Sequence, residues 1–520
     1  MARRRNIQKC RGQKRKRSPV QQPSKIGWSD LPLEVREMIL EALEDSLQGG
    51  KAASYASVSK EWNRILEPYI FKRLKLLPPY SLEGFQYFIT DRCRPFVQFI
   101  WFQFQRDCRP DWGNTDFEEQ KRLDQLQFAY AVYCLFQILS EWGERKAGQP
   151  GIVLELSAFS SSDPRYSMKD TVPKELENVN IKEDSDALNA VYEKSAVRQT
   201  RKLSVEDMIY RKNSHLEFMY EASSFPLVVE APFPTVNLVT DLTVRRQIHS
   251  SFFAQYMGRL VKALPRLEFI TFEPVYDSAD WELGWFPYSS LEPMKKILNA
   301  MPSSIRRLQV FEDDISLYDR HRPRRWVDRH ALGQLAAKVS QDKEPEVLAM
   351  SFIIDASDFF GDFYSDFPAP EIARRPGEKV GWAKLTSLTL TSSNFNPHPS
   401  GVPSLLMAAA RAARHMPSLA IMELYNAGFG YGGIFTYIHD EEGSIIQWES
   451  TWKWELPSDV IDIWRMTARV HGTEILEHNS GRITSRDLGW PARIISLLRT
   501  RETVVHPFTY CNMMNGLNHR

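Results

Sequence analysis

A short apolar pattern recurs six times between residues 239 and 421 and limits the folds open to the chain. Each copy has apolar residues at its first, fourth and sixth positions, and the copies begin at Val239, Leu264, Ile305, Val347, Leu385 and Met416. In three copies a helical segment ends at an apolar-Pro step just before the strand, at Leu264-Pro265, Met301-Pro302 and Met416-Pro417. Because proline cannot continue a helix, the helix, its stop and the strand recur as one unit. We therefore predict consecutive parallel strands, with the strand at Leu308 between those at Leu267 and Met350.

One copy, from Leu385 through Leu388 and Leu390 to Ser393, resembles the leucine-rich-repeat pattern, with Ser where Asn or Cys is usual. The copies are longer and less regular than that repeat requires. We interpret residues 77–427 as an irregular leucine-rich-repeat-like α/β solenoid, and a plain α/β domain is the alternative. In the solenoid, alternate strand residues point to an open face. The candidate substrate-binding residues on that face are Gln309, Ser351, Thr389 and Glu423.

The last part of the chain, residues 428–520, is predicted to form a C-terminal cap. Its pattern indicates a β-hairpin between Ile434 and Trp454, followed by a helix from Ser458 to about His471. Residues 428–433 match G-x-G-x-x-G, but dinucleotide binding requires a helix directly afterwards. Since a hairpin follows instead, we interpret this motif as a glycine-rich turn.

The chain shows no pattern typical of an enzyme or a metal site. Its five cysteines are scattered without a C-x-x-C pair, and its histidines do not cluster at metal-ligand spacing. No phosphate-binding loop, zinc-protease motif or nucleophile elbow occurs. No stretch approaches 18 uninterrupted apolar residues. We expect no catalytic residues, no metal, no cofactor and no membrane span.

Two polar segments are predicted to lie outside the folded core. Residues 1–25 carry ten Lys or Arg and no acid, although the whole chain has a net charge of only +1. We interpret them as a disordered basic arm, whose nuclear-import candidates are Lys14, Arg15, Lys16 and Arg17. An untargeted tail is the alternative, so the expected location is nuclear, cytoplasmic or both. Residues at about 160–205 are Ser-, Lys- and acid-rich and are predicted to be a mobile insertion.

The segment 26–76 has the pattern of a small helical module. Ser29 or Asp30 can cap a first helix, which ends at the glycines of positions 49 and 50. A second helix is predicted from about Ala52 to Leu66, with Pro68 as its stop.

The motifs of this module resemble an F-box. The first is Leu31-Pro32-Leu33-Glu34-Val35 followed by Ile39-Leu40, and the second is Val58-Ser59-Lys60-Glu61-Trp62. The last motif, at the end of the segment, is Phe71-Lys72-Arg73-Leu74-Lys75-Leu76. The linker from Asp45 to Ala53 departs from the usual Asp-Leu-Leu step of the family. More loosely, the whole chain is similar to long fungal F-box proteins with a poorly characterised C-terminal region.

The resemblance implies a function without catalysis. An F-box binds a Skp-family adaptor, which joins it to the cullin of a ubiquitin ligase, and the following domain recruits a protein substrate. By resemblance, the adaptor-binding residues are Leu31, Pro32, Val35, Ile39, Val58 and Trp62. They can equally form the core of a helical hairpin. The alternatives are a nuclear nucleic-acid-binding protein that uses the basic arm and a ligase-independent scaffold. We favour the F-box and do not expect nucleic acid as the partner.

Overall fold

The computed structural model describes residues 27–46, 52–78, 80–106, 116–145, 148–160, 232–245, 254–276, 291–314, 329–365, 381–473, 476–484, 488 and 490–518. The basic arm, with Lys14, Arg15, Lys16 and Arg17, and residues 161–205 of the predicted insertion lie outside the described residues. The contacts divide the chain into two compact units, Met1–Ile70 and Phe71–Arg520.

The first unit contains a 3₁₀ turn and three helices. The turn is Trp28–Asp30, and the helices are α1 Leu33–Ser46, α2 Ala52–Ala56 and α3 Lys60–Lys72. The prediction of one helix from about Ala52 to Leu66 is wrong, because a break near Ser59 separates α2 from α3. Ser59 caps α3: its hydroxyl accepts a hydrogen bond from the Trp62 amide at 3.2 Å. Pro68 was predicted to stop this helix but lies inside α3. Its fixed φ angle is compatible with a helix, although its missing N–H removes one hydrogen bond.

The second unit is mixed α/β. Its strands are β1 Arg73–Leu76, β2 Phe99–Arg106, β3 Ile152–Ser160, β4 Val239–Val244, β5 Phe269–Phe272, β6 Val275–Tyr276, β7 Arg307–Phe311, β8 Asp313–Asp314, β9 Val347–Ser351, β10 Ser387–Thr391, β11 Ile421–Gly428, β12 Tyr431–His439, β13 Ser444–Ser450 and β14 Leu476–Arg482. Its helices are α4 Tyr80–Phe88, α5 Asp116–Ser140, α6 Ala254–Lys262, α7 Leu291–Ala300, α8 His330–Lys343, α9 Ala356–Phe359, α10 Val402–Ala413, α11 Ser458–Val470, α12 Arg501–Val504 and α13 Pro507–Asn518. Short 3₁₀ turns are Arg94–Phe96, Gly361–Phe363 and Pro491–Leu497.

Twelve strands form one open sheet in the order β1-β2-β3-β4-β5-β7-β9-β10-β11-β12-β13-β14, and β6 pairs with β8 separately. Neighbours from β1 to β11 are parallel. Strands β11, β12 and β13 are antiparallel, and β14 runs parallel to β13. The predicted strand order is confirmed, because β7 with Leu308 lies between β5 and β9. The predicted hairpin and the following helix are also confirmed.

The same backbone hydrogen-bond pattern recurs at the start of successive strands: one carbonyl accepts two consecutive amides of the next strand. The Glu268 carbonyl accepts hydrogen bonds from the amides of Arg306 and Arg307, at 2.8 and 2.9 Å. One copy later, the Arg306 carbonyl accepts the amides of Glu346 and Val347, at 2.7 and 2.9 Å. The carbonyls of Glu346 and Thr386 do the same for the two strands that follow. Each copy thus fixes the register of the next.

The sheet separates two hydrophobic cores. One row on its first face contains Leu308, Leu348, Leu388 and Met422, which belong to the larger core with the helices of that side. Phe311 and Tyr425 belong to the second core, together with C-terminal residues such as Val504 and Phe508. Both faces of the central sheet are therefore covered.

The boundary between the helical module and the α/β region lies earlier than predicted. Residues 73–76 were assigned to the helical module, but they form β1, which pairs with β2 and lies in the second unit. The hairpin predicted after residue 427 extends the same sheet, because β12 pairs with β11 along eight residues. The short apolar-polar alternation of an edge segment does not show whether it closes a sheet or extends one.

Candidate functional site

An aromatic cluster holds the first unit together. The Trp62 ring packs against Trp28 at 5.1 Å and against Tyr55 at 6.3 Å between ring centroids. The cluster joins the 3₁₀ turn, α2 and α3. Trp62, a predicted adaptor contact, is half-buried in this cluster and therefore has an internal packing role.

A polar network connects the same elements. Arg36 on α1 forms an ion pair with Glu61 on α3, with 2.8 Å between Nη1 and Oε1. The other Glu61 oxygen accepts a hydrogen bond from the Trp28 indole nitrogen at 3.1 Å. One carboxylate thus fixes the turn and two helices without using the predicted apolar residues.

The remaining predicted adaptor residues lie largely at the surface. Val35 is 38% exposed, Ile39 is 42% exposed and Val58 is 61% exposed. Pro32 is exposed and Leu31 is half-buried. Val35 and Ile39 are four residues apart on α1 and therefore share one helix face. These side chains offer an apolar surface that the unit itself leaves in contact with solvent.

The predicted substrate-binding residues share one side of the sheet, but the prediction that this face is open is wrong. Gln309, Thr389 and Glu423 lie in one row across β7, β10 and β11, and Ser351 lies one row further along β9. All four side chains are at most 4% exposed. They lie on the side of the sheet that faces the second core.

The C-terminal segment covers this face through Glu423. The Glu423 carboxylate accepts hydrogen bonds from the amides of Arg499 and Thr500, at 3.0 and 2.9 Å. It also accepts the Thr500 hydroxyl at 2.5 Å. Thr389 donates its own hydroxyl to Thr500 at 2.8 Å. Glu423 therefore binds the two residues that directly precede α12.

A second carboxylate, Glu273, holds the next helix of the segment. It accepts the His506 amide at 2.7 Å and the Thr509 hydroxyl at 2.5 Å, which places it at the N-terminus of α13. Next to it, the Arg245 guanidinium lies over the Phe508 ring at 4.7 Å and forms a buried ion pair with Glu155. Burial, and secondarily the charge of Arg245, hold the pKa of His506 well below its usual value.

The contacts that Glu273 and Glu423 make with the C-terminal segment were the hardest to predict from the sequence. Glu423 was identified as a strand-face residue but was expected to meet solvent. The only sequence signal for its partner is Thr500, a capping residue type just before a short helix. Nothing in the spacing connects two residues that are 77 positions apart.

A cluster around Tyr437 has the residue types of a catalytic site, so its hydrogen-bond directions matter. His471 Nε2 lies 2.9 Å from the Ala413 carbonyl and must donate to it. His471 Nδ1 therefore accepts the Tyr437 hydroxyl, at 2.7 Å. Burial raises the pKa of Tyr437 to about 12, and burial lowers the pKa of His471. Both groups are neutral at neutral pH.

The same cluster orients Ser444 away from nucleophilic chemistry. Thr473 donates its hydroxyl to the Ala468 carbonyl at 3.1 Å, so it accepts the proton of Ser444 at 2.8 Å. His439 Nδ1, at 3.0 Å, must then donate to Ser444. A general base would accept the serine proton instead. This arrangement positions a turn rather than activating a nucleophile.

Within the described residues, no three His, Cys, Asp or Glu side chains come together as a metal-binding group. No helix in that part of the chain has the length and apolar content needed to span a membrane.

The comparisons with known proteins add one match. Residues 300–506 match a family described as a family of unknown function, DUF6546. The matched region runs from just before β7 to His506, so it includes the segment with Thr500 that covers the strand face. No curated protein matches the chain.

Proposed function

We propose that the chain is a non-enzymatic F-box substrate receptor of a Skp-cullin-RING ubiquitin ligase. The observation that carries this proposal is the exposure of Val35, Ile39 and Val58 on a helical unit whose own packing uses Trp28, Tyr55 and Trp62. These exposed residues belong to the motifs that resemble an F-box. Under the proposal they bind the Skp-family adaptor.

The energetics favour a partner for this surface. Burying a valine or isoleucine side chain contributes about 1.5–3 kcal/mol, so a few of them at the centre of an interface supply much of a binding free energy. The Arg36–Glu61 pair and the aromatic cluster hold the helices in place before binding. A preorganised surface loses less conformational entropy when it binds.

For the second unit, we propose an irregular leucine-rich-repeat-like solenoid that recruits a protein substrate. Two observations support this interpretation. First, the parallel strands from β4 to β11 follow chain order. Second, the same backbone hydrogen-bond pattern repeats from one strand to the next, at the carbonyls of Glu268, Arg306, Glu346 and Thr386. The chemistry of ubiquitin transfer would belong to other subunits. The basic arm, with Lys14, Arg15, Lys16 and Arg17, would direct the protein to the nucleus, and the cytoplasm is the alternative location.

The test is a pair of matched substitutions. Val58→Glu puts a charge into the proposed adaptor surface. Val470→Glu makes the same change on α11 of the second unit, where the valine is 59% exposed compared with 61% for Val58. Affinity purification of each variant, read by mass spectrometry, should lose adaptor and cullin by tenfold or more for Val58→Glu and keep both for Val470→Glu.

Three results would contradict the proposal. Equal recovery of adaptor by wild type and Val58→Glu would remove Val58 from the surface. Recovery of nucleic-acid machinery without adaptor, dependent on residues 1–25, would support the nucleic-acid-binding alternative. Recovery of neither class would support a ligase-independent scaffold.

A further inference from the structure

The covered strand face is polar at its centre, which is unusual for an internal core. Glu273, Glu423, Thr389 and Gln309 are all buried under the C-terminal segment 499–511. Buried charged groups are retained only where hydrogen bonds compensate their desolvation. Here the compensation comes from the amides and threonine hydroxyls of the segment. The face therefore binds the N-terminal ends of two short helices.

The two carboxylates recognise the segment in the same way. Each accepts a backbone amide and a threonine hydroxyl: Glu423 from Thr500, and Glu273 from His506 and Thr509. Glu273, at the start of the longer helix α13, also gains from the helix dipole. These contacts depend on a backbone amide just before a helix and on a threonine hydroxyl. Any helical segment with those two features can make them.

The fit between the segment and the face is incomplete. Gln309 Nε2 and Ser351 Oγ are buried and have no hydrogen-bond partner among the described residues. They lie on β7 and β9, the two strands on which α12 packs. A buried donor without a partner destabilises the arrangement that buries it. A segment with a hydrogen-bond acceptor within reach of Gln309 Nε2 would therefore fit the same face better.

We propose that the segment 499–511 is an internal occupant of the substrate site, and that a helical segment of the substrate protein replaces it. This inference rests on the proposed substrate-receptor function and names its substrate class. The incoming segment would present a threonine at a helix N-terminus to Glu423 and an acceptor to Gln309.

Apolar residues in the incoming segment would occupy the positions of the resident ones. Val504, Val505 and Phe508 are buried in the second core against Phe311, Phe352 and Tyr425. Leaving those aromatic rings exposed would cost much free energy, so the resident segment leaves only when another apolar segment takes its place. The partner is therefore an amphipathic helical segment with a polar N-terminus.

The test weakens the resident segment without changing the sheet. Thr500→Val combined with Thr509→Val removes the hydroxyls that bind Glu423 and Glu273. Thr503→Val is the matched control, because the Thr503 hydroxyl donates to the Thr500 carbonyl inside the segment. The probe is a fluorescein-labelled peptide with the sequence of residues 496–518. Its binding to each full-length chain is measured by fluorescence anisotropy.

The double variant should bind the peptide at least tenfold more tightly than wild type and Thr503→Val, because a hydrogen bond to a charged group changes affinity by about this factor. A peptide that carries both valines should bind at least tenfold more weakly. Hydrogen exchange in residues 499–511 should rise by a similar factor in the double variant. If circular dichroism shows that this variant is unfolded, Thr500→Val alone is measured against the same control.

Equal peptide binding by all three chains, or no binding by any of them, would overturn the inference. So would unchanged exchange in the segment. Adaptor recovery is measured on the same chains and should not change, because the substitutions lie outside the first unit. Normal adaptor recovery without peptide binding rejects only the substrate-site inference, whereas absence of adaptor from wild type rejects the receptor function.

Discussion

Trp62 shows how one residue can satisfy a motif and still leave its role undetermined. The F-box resemblance assigns it to the adaptor surface, but its ring packs between Trp28 and Tyr55. Truncating it would remove packing inside the unit, so loss of adaptor by such a variant would not locate the binding surface. Val58 is a better probe because its side chain is mostly exposed. The sequence identifies the apolar positions of a small module, whereas the folded structure shows which of them lie in the core and which at the surface.

His506 predicts the pH dependence of the second unit. Its imidazole is neutral in the folded chain because burial, and then Arg245, hold its pKa well below the ordinary value of about 6.5. The unfolded chain therefore binds a proton that the folded chain does not, and stability falls as the pH drops below about 6.5. The loss is at most about 1.4 kcal/mol per pH unit and ends at the folded-state pKa.

Urea unfolding between pH 8 and pH 5 checks this prediction. His506→Gln should flatten the fall in unfolding free energy below pH 6.5, because glutamine does not titrate. Part of the slope should remain, since burial also lowers the pKa of His471. His471→Gln is the matched control, and it should remove only that remaining part. Identical pH profiles for wild type and His506→Gln would contradict the prediction, because they would show that the pKa of His506 does not differ between the folded and unfolded chains.

The observed helices and strands agree with the sequence prediction where one local signal is strong, and they differ from it where two local signals compete. In the module, Pro68 predicts a helix stop, but the boundary is the break before α3, where Ser59 caps the helix. A serine before a helical stripe is too common to predict a break by itself, whereas a proline is a strong local signal. The hairpin of β12 and β13 was predictable because Asp440 to Gly443 has strong turn residues. Local chemistry decides both cases.

The glycine-rich turn between β11 and β12 gives a prediction at this scale. Gly430 has a φ of +77°, and nothing lies within 4 Å of the position of an added Cβ. Gly430→Ala should therefore destabilise the chain by about 1–2 kcal/mol through backbone strain alone. Gly361→Ala is the matched control, because an added Cβ there also meets nothing within 4 Å and its φ is ordinary. Thermal unfolding of both variants measures the difference, and equal midpoints would contradict the strained turn.

For the whole molecule, strand order was predictable and the cover of the strand face was not. The repeated helix, stop and strand determine which strands are neighbours, and Leu308 lies in the predicted place. The alternation along β7 also places Gln309 on the opposite side from Leu308. That alternation makes polar residues look exposed, because hydrogen bonds from a distant segment leave no trace in a local pattern. Gln309 and Glu423 were therefore assigned correctly to a face and wrongly to solvent.

The packing of the C-terminal segment on the strand face predicts how deletion of each chain end changes stability. Deletion of residues 490–520 removes one side of the second core and exposes Phe311, Phe352 and Tyr425. At about 1.5–3 kcal/mol for each large apolar side chain, the second unit should lose several kcal/mol of stability, melt at a lower temperature and bind a hydrophobic dye. Deletion of residues 1–25 is the control, and it should leave the melting temperature and adaptor recovery unchanged.

A synthetic peptide with the sequence 490–518, added to the truncated chain, should raise its melting temperature as the peptide concentration increases, because a ligand that binds only the folded state stabilises it by mass action. The peptide with Thr500→Val and Thr509→Val should restore less, since Glu423 and Glu273 each lose a hydroxyl donor. A truncated chain that melts like the full-length protein would show that the segment adds little to the second core. A truncated chain that no peptide restores would show that the segment is needed during folding and not only in the folded state.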